Sequence, residues 1–276
     1  MKIIADTATL YSPAEGKELG ITVIPVCVAI NGTTYKDYEE IGSAEFLKLI
    51  EEGGIPTSSQ PAIGDVIEAL ENNEEEILLL TVGDGLSGAY QNAMGVKNTI
   101  EDNGYIHILN SKTLAGPLRY LVQKAVSLKE KGLDIETIKE QLQQCIETSV
   151  SFVIPADFDF LKRSGRLTAI AAKLGGLIKI VPVLTQTEDK TRITPFAIKR
   201  SWKKAVDAII RHLKALGVDE NYRLSVSHAG TYEKAAEVLQ QIKAQFENVA
   251  MEILHLSPAL ITHGGPGCIV IQAIKK

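Results

Sequence analysis

The chain has no surplus of positive charge, few aromatic residues, no paired cysteines and no long apolar run, and each shortage removes a class of function. Of 276 residues, 29 are Lys or Arg and 34 are Asp or Glu, a formal net charge of −5. That balance leaves no excess cations to neutralise a phosphate backbone or an anionic membrane, so nucleic acid is not an expected partner. Aromatics make up 5% of the chain against 45% hydrophobic residues overall, which points to an aliphatic interior. Cys27, Cys145 and Cys268 are odd in number and far apart, fitting neither a disulfide framework nor a CxxC clamp; each reads as a small buried hydrophobe in a reducing cytoplasm. Asp6 arrives too early for a signal-peptide core and no apolar stretch reaches the length of a membrane span, so a cytoplasmic protein with no integral membrane segment is expected. The histidines show no HExxH or HxxxH spacing and GxxxxGK[ST] is missing, so the sequence predicts no metal, no nucleotide site and no cofactor.

What is present is length enough for two cores, since 276 residues exceed what one core of ordinary size fills. In the first half, the apolar runs Ile3-Ile4-Ala5, Ile21 to Ile30, Ile77 to Val82 and Tyr105 to Leu109 alternate with helical patterns that begin near Ser43, Ser87 and Thr113. That rhythm predicts a parallel sheet with helices packed on it, and ligands of such sheets gather at the carboxyl ends of the strands. A charged helical stretch, Asp134 to Thr148, carries Ile135, Ile138, Leu142 and Ile146, and the pattern changes around Ser149 to Pro155. The expected domains are therefore residues 1–150 and 151–276. In the second, Gly176 to Leu184, Ile193 to Ile198, Arg223 to Val226, Val249 to Leu256 and Cys268 to Ile274 read as strands, with helices over Ser201 to Leu216 and Tyr232 to Phe246. The fold class is α/β, with a parallel sheet in the N-terminal domain and a mixed sheet in the C-terminal one.

Several polar turns border these runs. Thr57-Ser58-Ser59-Gln60-Pro61 sets three hydroxyls and an amide before a helix expected from Ile63, and reads either as a cap or as part of a hydroxyl cluster. Ser87, in Gly85-Leu86-Ser87-Gly88-Ala89, stands between a strand and a helix. Carboxylate binding at the helix N-terminus ranks first for it, helix capping second and a nucleophilic role third. The nucleophilic reading makes the chain a lipid or ester hydrolase, with Ser87, an acid such as Asp157 or Asp219, and His263. His263-Gly264-Gly265-Pro266-Gly267 joins an imidazole to a turn that needs glycine, and is either a plain turn or one that brings His263 into a cleft. Lys162-Arg163-Ser164-Gly165-Arg166 precedes the apolar, small-residue stretch Ala169 to Leu184, and Arg200 opens a helix; each reads as solvated charge or as a cation for a carboxylate. Asp6-Thr7 ends the first strand and is either structural or orients the site.

In this order, these segments resemble the DegV family of bacterial fatty-acid-binding proteins along nearly the whole chain. The marks are Asp6-Thr7, Val23-Ile24-Pro25 with Tyr35-Lys36-Asp37, Ser58-Ser59-Gln60-Pro61, Leu86-Ser87-Gly88-Ala89-Tyr90, Arg163-Ser164-Gly165-Arg166, Lys179-Ile180-Val181-Pro182 and His263-Gly264-Gly265-Pro266-Gly267. The resemblance implies a non-catalytic carrier of a long-chain fatty acid such as palmitate, stearate or oleate. It implies Ser58 and Ser87 as carboxylate ligands, and Ser59, His263, Arg200 and Arg166 as the wider headgroup network. It also implies a separate fatty acid kinase subunit that phosphorylates the carboxylate with ATP and feeds phospholipid synthesis. In this sequence Ser58 replaces a usual Thr, Ala89 replaces a Thr, and Asn110 replaces a common Asp.

Overall fold

In the computed structural model, which describes residues 1–71, 75–173 and 180–276, the alternation of the first half becomes a first unit, Met1–Glu147 with Ser257–Ala259. It runs β1 (Lys2–Asp6), α1 (Pro13–Glu18), β2 (Thr22–Ile24), β3 (Cys27–Ile30), β4 (Thr33–Lys36), α2 (Ser43–Glu51), β5 (Thr57–Ser59) and α3 (Ile63–Leu70). It continues through β6 (Ile77–Thr81), α4 (Ala89–Lys97), β7 (Ile106–Asn110), α5 (Ala115–Glu130) and α6 (Ile135–Thr148). Strands β2, β1, β6 and β7 pair in that order, all parallel. Ile77 to Leu80 are buried without a break, as befits a central strand covered on both faces. Ile135, Ile138, Leu142, Cys145 and Ile146 form the buried stripe of α6, at the i, i+3, i+7 spacing of a helix lying on a core.

Two sequence expectations are corrected here. The run Ile21 to Ile30 is not one strand: Pro25 has no N–H to continue the ladder, so β2 ends at Ile24 and β3 leaves for a separate antiparallel sheet of order β4-β3-β5. Thr57 to Ser59, taken as a turn, is the edge strand of that small sheet, paired to β3 through Val28 and Ser58.

The second unit, Thr148–Leu256 with Leu260–Lys276, runs β8 (Val150–Ile154), α7 (Phe158–Ser164), α8 (Ala169–Ala172), β9 (Val181–Gln186), β10 (Ile193–Lys199) and α9 (Trp202–Ala215). It closes with β11 (Tyr222–His228), α10 (Tyr232–Lys243), β12 (Ala250–His255), α11 (Pro258–Gly264) and β13 (Ile269–Lys275). Its strands form one mixed sheet, β10-β9-β8-β13-β11-β12, in which only β11 and β12 are parallel. Phe152, Ile154, Leu224, Val226, Ile269 and Ile271 pack against Val206, Ile209, Ile210 and Leu213 of α9 and Val238 and Ile242 of α10. Removing a side chain such as Ile209 by mutation to Ala would cost about 2–5 kcal/mol. The expected run Gly176 to Leu184, and Lys179 with it, lies partly outside the described residues; Val181 onward is strand.

Candidate functional site

The parallel sheet ends in a polar rim. Asp6, the last residue of β1, accepts N–H bonds from Ala8 at 2.9 Å and from Val82 at 2.9 Å, tying the ends of β1 and β6 together. Burial pushes its carboxyl up to about 6, against the pull of those two amides. Beyond β7, Asn110 Oδ1 accepts from Asp84 N at 3.1 Å and from Lys112 N at 2.9 Å, and Gly83 N donates to Thr113 O at 2.8 Å. Gly83 has to be glycine, because a Cβ there would stand 2.9 Å from the Lys112 carbonyl carbon. These bonds fix the loop that carries Ser87, which leads into α4.

Ser87 Oγ accepts the N–H of Ala89 at 3.2 Å, so its proton is left to donate. Among the described residues no imidazole bonds to Ser87, and the base a nucleophilic serine needs is missing from its contacts. The capping and anion-binding readings therefore share one geometry, in which the oxygen accepts from the helix and the hydroxyl proton stays available to donate.

Strand alternation separates the two serines of β5. Ser58 lies level with Val28 and Tyr35, and Val28 is wholly buried; Ser59 lies level with Cys27 and Lys36 on the opposite face and is exposed. The Ser58 strand leads directly to the Ser87 loop: a Cβ on Gly88 would stand 2.8 Å from Gln60 Oε1, and Asn92 Nδ2 donates to Pro61 O at 3.0 Å. Gln60 and Gly88 are thus the contact that joins the two hydroxyl-bearing segments. The sequence names both residues, but only the packing reveals that the amide needs the missing side chain.

In the second unit, His263 is the penultimate residue of α11, so the plain-turn reading of His263 to Gly267 is corrected: the turn begins only after Gly264. Gly265 (φ 75) and Gly267 (φ 74) carry the chain from the helix to β13 in a conformation that favours glycine, and a Cβ on Gly265 would meet the Phe160 ring at 2.6 Å. Close packing around the His263 ring, then the charge of Arg166, push its imidazole down to about 3, so it is neutral near pH 7. Arg166 is itself half-buried, held by its main-chain N–H to Ser164 Oγ at 3.2 Å and by its guanidinium to Ser164 O, and burial lowers its pKa. Arg200 stands exposed after β10 and makes no hydrogen bond or ion pair among the described residues. The structure joins the segment that follows Ser58 to the Ser87 loop through Gln60 and Gly88 and sets the charge of Arg166 near His263, while Ser59 faces away from Ser58 and Arg200 is exposed.

Among the described residues no group of three His, Cys, Asp or Glu side chains could hold a metal, and no helix is long and apolar enough to cross a membrane.

An α/β protein with a parallel sheet and a small antiparallel sheet in one unit and a mixed sheet in the other defines a class with known relatives. The family model described as "Uncharacterised protein, DegV family" matches residues 1–276, and the chain belongs to that family. A DegV domain-containing protein of Halalkalibacterium halodurans is 31% identical over 97% of this chain and 95% of its own. Among solved structures, a fatty-acid-binding DegV family protein from Thermus thermophilus superposes with a TM-score of 0.89 at 26% identity, covering 100% of this chain and 99% of its own. DegV from Bacillus subtilis, described as a fatty acid binding protein, gives 0.86 at 25% identity, again over 100% and 99%.

Proposed function

We propose that this protein is a non-catalytic carrier of one long-chain fatty acid, whose carboxylate accepts hydrogen bonds from Ser58 and Ser87 and is offered to a separate ATP-dependent fatty acid kinase for acyl phosphate formation and phospholipid synthesis. The observation that carries it is the junction of the two hydroxyl-bearing segments through Gln60 and Gly88, with the proton of Ser87 left to donate. The fatty-acid-binding relatives from Thermus thermophilus and Bacillus subtilis support it. His263 and Arg166 are the proposed headgroup network of residues 151–276, which also carry much of the acyl-chain pocket. A hydroxyl donates to an anion without attacking it, and among the described residues no base bonds to Ser87 to make it a nucleophile.

Magnitudes suit a carrier. About fifteen buried methylenes contribute on the order of 12 kcal/mol before ordering costs, at roughly 0.8 kcal/mol each. Each hydrogen bond to a charged oxygen adds only about 1.5–3 kcal/mol. Affinity then comes from the alkyl chain, and the serines decide which end of the ligand is presented.

Denaturing extraction of the protein purified from bacterial cells, with mass spectrometry of the released small molecules, tests this directly. Near-stoichiometric C16 to C18 fatty acid is expected. A protein that releases no lipid and takes up neither palmitate nor oleate is not a fatty acid carrier. Ser87→Ala should weaken binding only modestly while impairing phosphorylation of the bound acid by a cognate kinase, and undiminished phosphorylation would remove Ser87 from the presenting role.

A further inference from the structure

Strands β11 and β12 are parallel neighbours joined by α10, and each ends in a histidine, so that His228 lies level with His255 across the pair. The two rings meet edge to face with centroids 4.7 Å apart. Hydrogen bonds decide which nitrogen of each ring carries the proton. His228 Nδ1 accepts the N–H of Thr231 at 3.3 Å, and a ring nitrogen that accepts has no proton of its own, so neutral His228 is protonated on Nε2. His255 Nδ1 faces the Leu256 carbonyl oxygen at 3.0 Å, which can only accept, so neutral His255 is protonated there and keeps the lone pair of Nε2.

These opposite tautomers make the two rings answer acid differently. A further proton on His255 goes to Nε2 and leaves its bond to Leu256 intact. A further proton on His228 has only Nδ1 to go to, where it stands against the Thr231 N–H, donor against donor. Among the described residues that amide has no other acceptor, and the Thr231 side chain makes no bond at the start of α10. Gly230, at φ 73, gives the chain just before it a conformation that favours glycine. The strand side is pinned by the backbone: Leu256 N donates to His228 O at 2.9 Å, Ala229 N to Cys268 O at 3.0 Å and Gly267 N to Ala229 O at 2.8 Å. Loss of the Nδ1 bond therefore frees Gly230 to Tyr232 and leaves β11 paired. Tyr232, which is 58% exposed and sets its ring edge 5.9 Å from that of His228, is released with them. The surroundings of His228 set how much acid this takes. Burial, then His255 of β12, oppose a charge on the ring and Glu233 of α10 favours one, which together hold it down to about 4; β13 places only Ile269 level with it. We propose that His228 is an acid-released latch on the start of α10, closed while its Nδ1 accepts from Thr231 and opened by a proton on that nitrogen. The latch lies wholly in the second unit and is independent of the fatty acid reading.

The experiment is NMR of the full-length protein labelled with nitrogen-15. At pH 7 the ring signals, assigned with His228→Gln and His255→Gln, should place the proton of His228 on Nε2 and that of His255 on Nδ1. A proton on Nδ1 of neutral His228 overturns the proposal, and this measurement needs no variant beyond the assignment. On acidification, exchange of the Thr231 amide, corrected for the intrinsic effect of pH, should quicken about five- to tenfold as the His228 ring takes its proton, with the amides of Ala229 and Leu256 unchanged. In His228→Gln, whose side-chain oxygen accepts but does not titrate, that step should vanish. In His255→Ala, which removes the neighbouring charge, it should move to higher pH. A Thr231 amide that shows no step while the His228 ring titrates overturns the proposal. So does a step of equal size at all three amides, which is general acid unfolding.

Discussion

The carboxyls that burial raises furthest, Asp6 and Asp37, lie in the first unit; the imidazoles it lowers furthest, His228 and His263, lie in the second. Burial raises the first pair, to about 6 and about 7, and lowers the second, to about 4 and about 3. Both outcomes follow from one cause, since low polarity disfavours whichever form is charged. Their effects on stability run in opposite directions with pH. A raised carboxyl contributes stability fully present below its unfolded value of 3.8 and lost as pH rises through about 6 to 7. A lowered imidazole contributes stability present above 6.5 and lost as pH falls through about 4 to 3. Between about pH 4 and 6.5 the two units respond oppositely, so the profile of the whole chain should be flatter than that of either unit. The single tryptophan, Trp202 in α9, reports on the second unit alone, whereas circular dichroism sees both.

Asp37→Asn should break this contrast with the largest effect. A shift from 3.8 to about 7 corresponds to about 4 kcal/mol of ionisation cost, and the amide removes it. The variant should gain stability above pH 7 and hardly change near pH 4, so its urea midpoint by circular dichroism should fall less steeply with pH than the native one. Parallel pH profiles would mean that Asp37 does not titrate in this range.

Gly265→Ala comes next and acts on the second unit. Left-handed backbone in an alanine costs about 1–2 kcal/mol, and crowding a Cβ against Phe160 adds a similar amount, so a loss of about 3 kcal/mol is expected. Trp202 fluorescence should record it as a lower urea midpoint, and an unchanged midpoint would mean that the Phe160 ring moves aside freely. His263→Gln sharpens the acid side. The ring keeps some exposure, so its lowered pKa is discounted for screening to about 2 kcal/mol of acid sensitivity. Between pH 7 and pH 4 the variant should lose less stability than the native protein by that amount, with Trp202 as the reporter.

The parallel sheet is readable in the sequence because its central strands β1 and β6 are dense apolar runs, and α6 because four isoleucines and leucines recur at helical spacing. The small antiparallel sheet was not. Thr33 to Lys36 and Thr57 to Ser59 are short, polar and partly exposed, so they carry no hydrophobic signal, and only their pairing with β3 makes them strands. The same limit governs the site. Ser58 and Ser87 could be singled out as hydroxyls near strand ends, but adjacent letters cannot say that Ser58 and Ser59 face opposite ways until the register with Val28 and Cys27 is known. Asp37 was visible only as a letter in a motif. The groups that act on its charge, among them Ser257 and Ala259, lie far along the chain, where no local pattern connects them to it.

The smallest effect expected is at Asn110, where this chain carries an amide. Its Oδ1 accepts from both Asp84 N and Lys112 N, and so joins the loop bearing Ser87 to the turn after β7. Neither bond needs the side-chain NH2, so Asn110→Asp should keep both, with the nearby Asp84 carboxylate offsetting part of the gain from a charged acceptor. Asn110→Ala removes the acceptor from two amides at a partly exposed site where water replaces it in part, a loss of about 1 kcal/mol. Amide hydrogen exchange at Asp84 and Lys112 is the sensitive measurement, since 1.4 kcal/mol is about a tenfold change in protection. Faster exchange in the Ala variant at both amides, with the Asp variant near the native rate, would show that the Ser87 loop depends on an acceptor at this position rather than on its charge. Unchanged protection in both variants would assign the loop's rigidity to the backbone bond from Gly83 N to Thr113 O instead.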